Sequence, residues 1–125
     1  MTYRERLVWQ KAISLVEAVY ALTRRFPPEE RFVFANQMQR SAISVPSAIA
    51  QGHGRKATGT FLRHRSIASG SLTELETQLQ IAHRVGYVGH EALSELLAMT
   101  EEVGKMLSGL QNSLDPGREH LDPES

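Results

Sequence analysis

Between Arg31 and Thr73 the chain contains no Asp or Glu, yet it carries Arg31, Arg40, Arg55, Lys56, Arg63 and Arg65. Cations with no carboxylate nearby in sequence are suited to phosphate oxygens, which arginine can hold through two charge-assisted hydrogen bonds at once. If such residues share a face, that face attracts polyanions. Arg40, Arg55, Lys56, Arg63 and Arg65 are therefore candidate contacts to RNA phosphates. The competing reading pairs the basic stretch with Glu95, Glu101 and Glu102 later in the chain. A balance of 14 Lys+Arg against 14 Asp+Glu argues against a strong nucleic-acid binder, as do the few aromatics available for stacking.

Other constellations are weaker. Gly52-His53-Gly54-Arg55-Lys56 places flexible glycines beside two cations, a turn that could cradle a phosphate or simply join two helices. It lacks the spaced glycines and Lys-Ser/Thr end of a nucleotide-binding loop. His53, His64, His83, His90 and His120 include no His-x-x-x-His pair, so no metal site is expected. No serine lies in a Gly-x-Ser-x-Gly elbow. Glu74 and Glu76 point to different faces of any helix, which makes them a poor acid/base pair. The absence of cysteine excludes disulfides and thiolate chemistry. The expectation is a protein that is not an enzyme, with no cofactor and no small-molecule substrate.

These residues must be held by helices. At 125 residues, with 41% hydrophobic residues and a mean hydropathy of −0.30, one domain is the natural expectation. No apolar run approaches the roughly 20 residues needed to span a bilayer, and the N-terminus is no signal peptide, so a cytoplasmic protein without membrane partners is expected. Residues 1–86 carry 12 Lys+Arg against 6 Asp+Glu, whereas residues 87–125 carry 2 against 8. Two arrangements fit: the acidic end neutralises the basic part, within or between chains, or the two signs occupy opposite surfaces.

The first helix is expected from about Arg4 to Arg25. Val8, Ala12, Leu15, Val19, Leu22 and Phe26 form one stripe, and Trp9, Ile13, Val16 and Tyr20 form a second beside it. So wide an apolar surface needs two partners, one of which is expected to be another subunit. Phe26-Pro27-Pro28 ends the helix. The second is expected to open at Glu29 and Glu30, acids that suit a helix N-terminus, and to end at Gly52. Pro46 interrupts it and is expected to kink it rather than break it, at a cost of about 3 kcal/mol. The third runs from about Thr58 to Val85 with a seam of Phe61, Ala68, Leu72, Leu75, Leu79 and Ala82, on which Arg65 also falls. That arginine is expected to play a structural part, at a subunit interface or with its head in water, and with Glu74, Glu76 or an acid of the last helix in another chain as a partner. Mid-helix Ser69-Gly70-Ser71 would let another backbone approach closely. The fourth runs from His90 to Leu114, with Thr100 breaking its apolar steps. Residues 115–125 are polar and proline-bearing and are expected to be disordered, leaving a 1–114 domain. The short connections predict an all-α, antiparallel, up-down-up-down four-helix bundle.

Several phrases together point to one family: Leu7-Val8-Trp9-Gln10-Lys11-Ala12, Tyr20 to Pro27, Gln37 to Pro46, and Ala68-Ser69-Gly70-Ser71-Leu72-Thr73-Glu74-Leu75. Over residues 5–112 the chain resembles the bacterial four-helix bundle proteins also known as 23S rRNA intervening-sequence, or S23, proteins. The resemblance implies a homo-oligomer, with a pentameric ring as the recurring form. It also implies a link to RNA or nucleoprotein, since related proteins are accessory factors of diversity-generating retroelements. Trp9, Ile13, Val16, Tyr20, Ser69, Gly70 and Ser71 are the candidate oligomer contacts. The chain departs from the family pattern after Pro46: where the family reads Asn-Ile-Ala-Glu-Gly, this sequence has Ala48-Ile49-Ala50-Gln51-Gly52.

Overall fold

The computed structural model describes residues 1–53 and 58–114, apart from the side chains of 58 and 111–114. Four α-helices follow in order: α1 Tyr3–Thr23, α2 Phe34–Gly52, α3 Thr58–Arg84 and α4 His90–Leu114, with a 3-10 turn at Pro28–Glu30 before α2. There is no strand among the described residues.

Local chemistry explains the boundaries. Thr2 and Glu5 form a reciprocal capping box at the start of α1: Thr2 Oγ1 accepts from the Glu5 amide at 3.1 Å, and Glu5 Oε1 accepts from the Thr2 amide at 2.7 Å. Gly86 closes the end of α3 at φ +90°, a conformation that glycine adopts without a Cβ penalty. Glu29 and Glu30 do not open α2 as expected. With Pro27 and Pro28 fixing the chain, the amides of Glu30, Arg31 and Val33 each reach back three residues, to Pro27, Pro28 and Glu30. This makes a separate tight turn, and α2 begins only at Phe34, with no acid in its first turn. From there it runs without interruption through Pro46 to Gly52.

Hydrogen bonds between helices give their directions. Ser41 and Ser44 of α2 meet Glu74 and Ser71 of α3, in reverse order. Thr23 meets Gln39 at one end of the α1–α2 pair, and Glu5 meets His53 at the other. Lys11 of α1 pairs with Glu102 of α4, while Glu5 lies near Leu107 and Leu110. Each helix packs on its sequence neighbour, α4 returns to α1, and α2 with α3 make the most extensive contact. The bundle is therefore all-α and antiparallel, up-down-up-down.

The expected stripes form its core. Val8, Ala12, Leu15, Val19, Leu22 and Phe26 are buried, as are Ala68, Leu72, Leu75, Leu79 and Ala82. Phe61 is only half-buried. Thr100, at 2% exposure, is part of this core because its hydroxyl donates to the Leu96 carbonyl of its own helix at 2.8 Å. The polar group is satisfied locally and its methyl faces the apolar side. At one end of the bundle, Phe26, Phe34 and Tyr87 stack with centroids 5.3 to 6.4 Å apart, joining the α1–α2 and α3–α4 connections.

Candidate functional site

The basic stretch does not come together as one patch. Arg55 and Lys56 lie outside the described residues, as do Gly54 and the 115–125 tail. Arg40 is exposed on α2 and lines a groove with Phe32 and Glu74. Arg63 is exposed near the start of α3, at the level of the far end of α2. With α2 and α3 antiparallel, Arg40 and Arg63 stand roughly 18 Å apart along the helix axes. Arg63 and Arg65 are two residues apart on one helix and leave it in nearly opposite directions.

Arg65 is half-buried. Its Nη1 donates to Ser69 Oγ at 3.3 Å, one turn on, rather than to an acid. Its Nε is buried with no hydrogen-bond partner. Around it, a small cavity is lined by Glu5, Ala48, Gly52, Phe61, His64 and Leu107. The lining includes Ala48, Ile49 and Gly52 of the stretch after Pro46, and of the two positions that depart from the family pattern it includes Ala48. The family's asparagine would place an amide where Ala48 presents a methyl.

The pairing with Glu95, Glu101 and Glu102 that the competing reading requires is not found within the protomer among the described residues. Glu102 pairs with Lys11 at 3.6 Å and Glu101 with Lys105 at 3.9 Å, while Glu5 faces His53 at 3.9 Å. None of these ion pairs involves Arg40, Arg63 or Arg65. Among the described residues no cluster of three His, Cys, Asp or Glu side chains could hold a metal ion. No described helix is long and apolar enough to cross a membrane.

The candidate assembly residues divide. Trp9, Ile13, Val16 and Tyr20 are half-buried, and Trp9 and Val16 pack against the core. Their stripe lies on the α2 side of α1, and Ile43 of α2, 40% exposed, belongs to the same outer face. Ser71 is buried in the α2–α3 seam and donates to Ser44 Oγ at 2.8 Å. Gly70 faces open space: a Cβ there would meet nothing within 4 Å. The close helix approach inside the protomer is instead at Gly52, where a Cβ would come 3.2 Å from His64 Cβ.

Two surface grooves escape a reading of the sequence alone. One, of about 590 Å³, lies between α2 and α3 and includes Phe32, Val33, Asn36, Gln37, Arg40 and Gln78. The other, of about 580 Å³, lies where α1 gives way to α2 and includes Arg24, Arg31, Phe32, Asn36 and Gln39. Phe32 and Asn36 belong to both. The available signal was Phe32-Val33, an apolar pair that fits no stripe and is followed by Asn36, Gln37 and Gln39.

Fold and surface together define a four-helix bundle on which Arg40 and Arg63, without an ion pair among the described residues, and a half-covered apolar stripe face outward. The chain belongs to the 23S rRNA-intervening sequence protein family, whose model matches residues 4–109. Among solved structures it is similar to a 1.70 Å crystal structure of a protein of unknown function from the S23 ribosomal protein family of Bacteroides thetaiotaomicron VPI-5482. That likeness has a TM-score of 0.80 at 21% identity, over 87% of this chain and 98% of the other. At that identity it establishes the shared fold. None of the curated proteins matches this chain.

Proposed function

We propose that this protein is a non-enzymatic, cytoplasmic, homo-oligomeric scaffold that binds RNA or a nucleoprotein. The observation that carries this reading is the state of the arginines in the acid-free stretch. Arg40 and Arg63 are exposed, and neither has an ionic partner among the described residues. A guanidinium with no internal carboxylate is free for phosphate. Membership of a family described by its link to 23S rRNA supports the same class of partner.

Assembly is supported by the half-covered stripe of Trp9, Ile13, Val16 and Tyr20 with exposed Ile43 beside it. A second copy would complete the burial of these residues. The family resemblance favours a pentameric ring, and Pro46, which cannot donate within the helix and crowds the Ala42 carbonyl, favours a kink in α2. A ring repeats a modest set of cations several times, so weak single contacts add through avidity.

Filter binding over a salt series tests the RNA reading. Binding should weaken steeply with salt, and Arg55→Glu with Lys56→Glu should reduce it while leaving particle mass unchanged. Absent or salt-independent binding removes this reading. Sedimentation at micromolar concentration tests assembly, and a stable 14.0 kDa particle would contradict it. Exposed Ile67, Ile81 and Val85 along α3 favour a second reading, a protein-interaction scaffold with no nucleic-acid role. That reading predicts assembly without any RNA shift at physiological salt.

A further inference from the structure

We infer that the paired grooves meeting at Phe32 form a binding surface for single-stranded RNA, with an unpaired base stacked on Phe32. The inference rests on the RNA reading above and assigns it a site at the end of the bundle opposite Arg63 and Arg65.

Phe32 is 80% exposed, the largest exposure among the large apolar side chains described. It stands as a ridge with a groove of more than 500 Å³ on each side. An aromatic face held in water by short backbone turns is an open stacking platform, and every base offers a π-face to it. The Arg31 guanidinium lies 5.6 Å from the Phe32 centroid. It lies over one face of the ring, which leaves the opposite face for a base and keeps a cation within reach of that base's phosphate.

The groove walls supply the remaining chemistry. Arg24 and Arg31 line one groove and Arg40 the other, and none of the three has an ion pair among the described residues. Asn36 and Gln37 present amides, which can donate and accept at once, as base edges require, while Gln39 already donates to Thr23. Gln78 is 8% exposed, lines the α2–α3 groove, and leaves its Oε1 without a partner. Such an acceptor is available to a donor in the groove, whether a base amino group or water.

Three acids lie nearby: Glu30 accepts from Tyr87, Glu74 lines the α2–α3 groove and accepts from Ser41, and Glu29 is exposed on the turn, so the phosphates are placed on the Arg24 and Arg31 side of Phe32. Duplex RNA does not fit this arrangement, because its stacked bases cannot reach a side-chain platform.

Fluorescence anisotropy with a short labelled RNA, single-stranded or annealed to its complement, tests the inference. Phe32→Ala should weaken single-strand binding about tenfold and leave duplex binding unchanged. Phe32→Trp should retain single-strand binding. Arg24→Gln, Arg31→Gln and Arg40→Gln together should make the salt slope shallower by about 2. If the parent binds RNA and Phe32→Ala binds single strands equally well, the site is wrong and the RNA reading stands. If the parent binds neither RNA, both fall. If Phe32→Ala changes the particle mass by light scattering and leaves RNA affinity alone, the surface is a protein contact and the inference is overturned.

Discussion

The Tyr87 hydroxyl donates a 2.8 Å hydrogen bond to Glu30 Oε2, linking the α3–α4 turn to the turn that precedes α2. Both residues belong to connections, so this contact joins two segments that helix packing alone would leave independent. The bond to Glu30 raises the phenol above its ordinary pKa of 10.0, helped by burial and by the charges of Glu30 and Glu29. A phenol whose pKa is higher in the folded chain holds its proton more tightly there. Its contribution to stability is complete below about pH 10 and declines as pH rises through the folded-state value. Thermal melts across alkaline pH should show a loss of stability that is absent in Tyr87→Phe. An identical alkaline profile for the two proteins would count against this linkage.

Ala48→Asn should be better tolerated by about 1 kcal/mol with Arg65 present than without it, the net value of one hydrogen bond, because the amide oxygen gives the buried Arg65 Nε an acceptor. Removing the guanidinium in the same background supplies the control. In an Arg65→Met protein, the asparagine should lose that advantage, a coupling that a double-mutant cycle in urea would measure. Equal effects in both backgrounds would count against the hydrogen bond.

Two glycines should respond oppositely to alanine. Gly70→Ala fills open space on α3 and should stabilise the protomer by about 0.5–1 kcal/mol through helix propensity. Gly52→Ala presses on His64 Cβ, which is fixed to the α3 backbone, and should cost about 1–3 kcal/mol. Denaturant titration reads both. Light scattering on Gly70→Ala adds a test of assembly: reduced particle mass would place Gly70 in a contact between copies.

Thr100→Val should leave stability unchanged or raise it by up to about 1 kcal/mol. The hydroxyl bonds only to Leu96 O, a carbonyl already within the helix, and the surroundings are apolar. A large loss in chemical denaturation would reveal a second partner for this hydroxyl.

The helices were legible where local signals agreed. His90 to Leu114 is the observed α4, because glycines precede it and Asp115-Pro116-Gly117 follows it. The stripe from Val8 to Phe26 is buried as its spacing requires. Glu29 and Glu30 were misread, since two prolines favour a separate tight turn over the helix start that acidic residues suggest. The basic run was legible as composition and misleading as a patch. Sequence distance carries no information about axial level, and the antiparallel return of α3 places Arg40 and Arg63 far apart. The Phe32 grooves were hidden for a related reason: their walls come from different helices and from a turn whose course the prolines set.

Ser41–Glu74 and Ser44–Ser71 are small contacts in the largest seam of the bundle. Their consequence is uniqueness of register. Alanine, leucine and valine ridges would tolerate a slide of α3 along α2 by one turn, because one methyl-lined groove resembles the next. The polar pairs would not, since each would lose its mate at the edge of the seam. Two polar pairs thereby favour one alignment among several that apolar packing alone would leave close in energy. That choice also sets which side chains meet on the outer surface.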